Sequence, residues 1–111
     1  MIEPLQGCGP LSQVWFVHDY IQLQFQDRTV SIFNTPQLHD PVRGIFSRES
    51  EGFCDLLVAQ INQGLSDAIL VEDAMFTLVF ENQVRLVIPI TAEAAHGPEA
   101  VEVGIWIVFN A

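Results

Sequence analysis

The stretch VWFVHDYIQLQFQDRTVSIFN, residues 14–34, decides how the chain is read. Its middle alternates: Ile21, Leu23 and Phe25 fall on one face of an extended segment, and Gln22, Gln24 and Gln26 on the other. A period of two is the signature of a strand with one face buried and one wet. Asp27-Arg28 then provides a tight turn, so that Thr29–Asn34 returns alongside. Upstream, Gln13–Asp19 carries apolar residues on both faces, Val14 and Phe16 against Trp15 and Val17, which predicts a strand covered on both sides. The His18-Asp19 pair falls where the first strand must bend into the second. Connections this short make the three strands an antiparallel meander.

Outward from this meander the signals change. TPQLHDPVRGIF, residues 35–46, holds two prolines and a glycine and is expected to be a loop. Ser47 reads as an N-cap, with Glu49 and Glu51 in the first turn. Phe53, Cys54, Leu57, Val58 and Ile61 follow at helical spacing, and Gly64 is a stop. This predicts one helix of about four turns. Strands are then expected at 68–72, 74–80, 83–90 and 101–109, with an acidic turn at Glu72-Asp73 and another at Glu81-Asn82. Pro89 implies that its strand ends at an edge or bulge. TAEAAHGPEA, residues 91–100, is expected to be a loop, with room for one helical turn after Thr91. The fold class is therefore α+β: a mostly antiparallel sheet of about seven strands in the order β-β-β-α-β-β-β-β, with one helix on one face, forming a single domain over residues 1–111. The segments before and after the helix are both meanders, but their residues show no alignment, so no internal repeat is read. The last strand is apolar and close to the end of the sequence, which predicts a central position or pairing with a second copy as a homodimer.

Composition narrows function mainly by exclusion. Fourteen acidic residues face four arginines (Arg28, Arg43, Arg48, Arg85), lysine is absent, and the formal charge is −10. Such a chain is repelled by phosphate backbones and anionic lipid, so neither nucleic acid nor a membrane surface is expected as a partner, while a basic protein is favoured. No apolar run reaches the roughly 18–20 residues of a membrane helix, and MIEPLQGCGP lacks the pattern of a signal peptide. The expected location is cytoplasmic. Without lysine there is no Walker lysine and no Schiff base, and no glycine-rich phosphate loop occurs.

The residues that bear chemistry form no recognisable constellation. His18-Asp19 and His39-Asp40 are adjacent pairs, but a metal phosphohydrolase of the HD type needs such pairs on helices, and these fall at a strand end and in a proline-bounded loop. His18, His39 and His96 are the candidate metal ligands if the fold gathers them. Cys54 is near a helix start but is expected to face the core, and Cys8 lies among Gly and Pro, so neither suggests a catalytic thiolate, a disulfide framework or zinc. GLSDA, residues 64–68, resembles a nucleophile elbow, but it leads from helix to strand, the reverse of the required order. No catalytic residue and no cofactor are assigned. The candidate binding surface comprises Gln22, Gln24 and Gln26 with Trp15 and Tyr20 beside them, and the acidic turn Glu72-Asp73, near Asp67, Glu81 and Asn82.

Four segments together, DYIQLQF, FCDLLVAQI, LVFENQVRLVIPI and GPEAV, resemble small bacterial α+β proteins with no assigned activity. The resemblance spans most of the chain from about residue 14. It implies a free-standing bacterial domain and no residue roles.

Three functions follow as expectations. The first is a non-enzymatic acidic interaction protein, comparable to an immunity protein that masks the basic surface of a toxin, meeting its partner through the acidic turns and the Gln face. The second is a small-molecule-binding domain with a pocket lined by Trp15, Tyr20, Phe33 and Trp106. The third is a metal enzyme built on the three histidines.

Overall fold

A computed structural model describes residues 1–111. The opening meander is present as read: β1 (Leu11–Val17), β2 (Tyr20–Phe25) and β3 (Thr29–Ile32) pair antiparallel in sequence. Along β2 the inward residues Ile21, Leu23 and Phe25 are buried and the intervening positions are half-buried. The rest departs from the expected seven-stranded α+β sheet. The protein is a ten-stranded, β-rich fold with two antiparallel sheets and one short helix.

Three local misreadings account for the difference. Residues 35–46 are not a loop but contribute most of a hairpin, β4 (Gln37–Asp40) and β5 (Gly44–Ser47). Both prolines avoid the ladder: Pro36 precedes β4, and Pro41 sits in the turn, where Asp40 Oδ1 accepts hydrogen bonds from the Val42 and Arg43 amides at 2.8 and 3.0 Å. The helix α1 spans only Phe53–Val58, because Ser47 ends β5 instead of capping; the N-cap is Gly52 at φ +92°, and no side chain caps the helix. The terminal strand is two strands, β9 (Glu99–Val103) and β10 (Trp106–Phe109), reversed by Gly104-Ile105, with Gly104 at φ +60°. Between them and α1 run β6 (Leu65–Val71), β7 (Met75–Phe80) and β8 (Arg85–Pro89), close to expectation.

The first sheet has the order β1-β2-β3-β9-β10, the second β5-β4-β8-β7-β6. Their inner faces pack on one another. Phe25 of β2 stacks on Phe80 of β7 with ring centres 6.4 Å apart, and Phe76 of β7 meets Trp106 of β10 at 5.8 Å. Val84, Leu86, Ile88 and Ile90 all enter this core, as their spacing predicts. The helix does not lie across a sheet face; it packs beside β1 and β4, one strand of each sheet. Its Phe53 and Leu57 are buried, but Cys54 is exposed, and it is Cys8 that is buried. Pro89 ends a central strand: β8 outruns β4 there, so the missing amide costs no ladder bond. β1 is an edge strand, and its Trp15 stays 48 % exposed instead of covered.

The topology also repeats, which the sequence did not disclose. β1-β2-β3 followed by the hairpin β4-β5 matches β6-β7-β8 followed by β9-β10, and each hairpin joins the other half's sheet: β9 pairs with β3, and β4 with β8. The register agrees in detail. Leu11 faces Phe25 and Leu65 faces Phe80, and each pair is followed by a bulge at a serine. Ser12 Oγ donates to the Gln24 carbonyl at 2.9 Å, and Ser66 Oγ to the Val79 carbonyl at 3.2 Å. Gln26 N donates to Pro10 O and Glu81 N to Gly64 O, each at 3.0 Å. Continuing in step, Asp19, Tyr20, Ile32, Phe33 and Asn34 correspond to Ala74, Met75, Ile88, Pro89 and Ile90.

Candidate functional site

A depression of about 610 Å³ lies at the β1–β2 turn. It is walled by that turn (His18, Asp19, Tyr20), by the crossover Phe33–Pro36 that carries the chain from the first sheet to the second, and by the segment leading into β9 (His96, Glu99), with Arg48 at one side. The crossover exists because β3 and β4 belong to different sheets, so Phe33–Pro36 must leave one ladder before joining the other.

Asn34 is the site's most constrained group, and it is 2 % exposed. Its Nδ2 donates to the Pro89 carbonyl at 2.8 Å and to Asn110 Oδ1 at 2.6 Å, while Asn110 Nδ2 donates to the Gly97 carbonyl at 2.7 Å. Two acceptors facing one end of the amide fix its orientation. Its Oδ1 is buried and has no partner. Tyr20 and Phe33 form a tilted ring pair with centres 5.6 Å apart. Arg48 lies with its guanidinium 5.3 Å from the centre of the Phe16 ring and 5.4 Å from that of Phe53, with Nη1 3.6 Å from Cys54 Sγ. His96 Nε2 is 3.3 Å from Thr35 Oγ1. His18 stands on the rim with its side chain 96 % exposed, 3.6 Å from Asp19 Oδ1.

Of the histidines, His18 and His96 line this cleft, and His39 does not. His39 lies in β4 opposite Arg85 of β8, 3.2 Å from Gln37 Oε1; burial first and Arg85 second push its pKa down. No group of three or more His, Cys, Asp or Glu is placed to hold a metal ion. Burial raises the Cys8 thiol, the opposite of what a nucleophile needs.

Of the expected binding residues, Tyr20 alone belongs to the cleft, joined by Phe33 from the aromatic pocket residues. Gln22 and Gln24 face outward and bond among themselves: Gln24 Nε2 donates to Gln22 Oε1 at 3.1 Å, and Gln22 Nε2 to Ser31 Oγ at 3.3 Å. Gln26 is off the ladder, in the turn after β2. Trp15 donates to Gln13 Oε1 at 2.9 Å on the same outer face, and Trp106 packs inward on Phe76. Glu72-Asp73 form the β6–β7 turn beside a second, smaller depression lined by Ala74 and Met75, which shares Thr35, Pro36 and Arg48 with the cleft. Asn34, Arg48 and Glu99 were missed. The burial of a single Asn just past the end of β3 leaves no trace in the sequence.

No helix is long and apolar enough to cross a membrane. No protein family, curated protein or solved structure matches this chain.

Proposed function

We propose that the protein is a non-enzymatic acidic interaction protein of the cytoplasm, comparable to an immunity protein, that binds a basic protein partner. The observation that supports it best is the disposition of the charges. No arginine pairs with a carboxylate: Arg28 donates to the Pro4 carbonyl, Arg43 lies over Phe46, Arg48 over Phe16 and Phe53, and the only ion pairs are the N-terminus with Asp67 and His18 with Asp19. Nearly all of the carboxylates are therefore left without a cation from the chain itself, in a molecule of charge −10. Such a field accelerates encounter with a cationic surface and weakens with salt. The test is retention of a lysate protein on the immobilised domain at low salt, against a control domain of equal charge. A basic protein held by this domain alone and released by salt is expected; identical retention by the control removes the reading.

A homodimer is a second reading, favoured by β10: it is a sheet edge, flanked by Ile105 and ending in Phe109, which are 102 % and 60 % exposed. Sedimentation equilibrium should show a dimer that Phe109→Lys dissociates; a monomer at every concentration counts against it.

A further inference from the structure

We infer that the cleft at the β1–β2 turn is the seat of a cationic side chain, an arginine or lysine presented by the basic partner; this rests on the reading above and adds the place and the chemistry of its anchor.

Four observations converge on it. Asn34 lines the cleft, and its Oδ1, closed off from solvent, is an acceptor without a protein partner, so a group that meets it when the side chain shifts has to bring a donor. The Asn34 Nδ2 ties the Pro89 carbonyl and Asn110, but the repeated backbone does not by itself call for an amide, because in the second half the corresponding position is Ile90, equally buried at 2 %. The second half likewise has Ala74, Met75 and Pro89 where the first has Asp19, Tyr20 and Phe33. The same backbone device thus exists once in apolar form and once with an acceptor, a carboxylate and two aromatic rings. The charge favours a cation: Asp19 and Glu99 flank the cleft, and the Arg48 guanidinium is drawn onto Phe16 and Phe53. The rings of Tyr20 and Phe33 supply π faces, against which a guanidinium or ammonium is held.

The test is a titration followed by NMR of the Asn34 side-chain amide and the Tyr20 ring, using end-blocked Gly-Arg-Gly, Gly-Lys-Gly and Gly-Gln-Gly, with nona-arginine as a longer basic probe. The cationic tripeptides should give saturable shifts and the Gln peptide none. Asn34→Ile, which copies the second half, should weaken binding roughly tenfold, the loss of one hydrogen bond to a charged donor. Asp19→Asn, at a side chain 86 % exposed and hence harmless to folding, should weaken it about two- to fivefold. Shifts that fail to saturate, or that are equal for all three peptides, overturn the proposal. So does nona-arginine binding unchanged in both variants, an outcome that leaves the acidic-surface reading intact. If nona-arginine does not bind the native protein at all, both fall.

Discussion

Glu102 illustrates how a single residue's surroundings set its chemistry. It lies on β9 next to Ser31 of β3, on the outer face of the first sheet. Burial raises its pKa, and the hydrogen bond and charge of Glu99 raise it further. A carboxyl whose folded pKa is raised contributes stability below its unfolded pKa and loses it as pH rises through the folded value. Glu102→Gln keeps a donor for Glu99 and removes the charge. It should raise Tm at pH 7 and give no gain near pH 4; an equal gain at both pH values in thermal melts would show that the charge is not the cause. Asp40 carries the opposite sign. The Arg43 amide first and the Val42 amide second hold its carboxyl low, so its contribution is present above the ordinary Asp range and is lost on acidification below it.

At the scale of elements, the bulged edge strands β1 and β6 are one device used twice. In each, a serine at the bulge donates to a carbonyl of the neighbouring strand. A bulge leaves ladder groups unpaired and increases local twist, and a hydroxyl that reaches across ties the edge back to its neighbour. Ser12→Ala and Ser66→Ala should each destabilise by about 0.5–1 kcal/mol, the lower part of the range for one hydrogen bond, because both serines are exposed. Chemical denaturation of the two variants and the double variant is the check, with additive losses expected at separate sites. A large loss at only one serine would mean that the two bulges are not equivalent.

For the whole molecule, the exchange of hairpins has a direct consequence. Neither 1–52 nor 53–111 contains a complete sheet, since each meander's third strand must pair with a hairpin from the other half. The core is likewise shared, with Phe25 of one half against Phe80 of the other. Unfolding should be one cooperative transition. The two fragments should be unfolded when isolated and should recover the native spectrum when mixed. A dispersed amide spectrum from monomeric 53–111 alone would contradict this account. Phe80→Ala should cost about 3–5 kcal/mol in the intact chain, because it opens a cavity at the junction of the two sheets.

The sequence by itself determined the alternating strands and their buried faces, the turns at His18-Asp19, Asp27-Arg28 and Glu72-Asp73, the core run from Val84 to Ile90, and the acidity, because each of these is set within a few residues by period, turn chemistry or charge. It misled where local signals conflict with long-range pairing. Pro36 and Pro41 suggested a loop although both lie outside the β4 ladder, and Phe53–Ile61 suggested a long helix although the chain before it is committed to β5. The repeat stayed hidden because the β6–β7 and β7–β8 turns are each longer than the β1–β2 and β2–β3 turns, so that Leu11 and Phe25 are spaced differently from Leu65 and Phe80 and no ungapped alignment brings them together. Tertiary structure alone decided the division into two sheets and the gathering of Asp19, Tyr20, Asn34, Arg48 and Glu99 around one cleft. These residues come from separate segments, and their meeting depends on which strands cross between sheets, a choice made by the whole core and not by any local stretch.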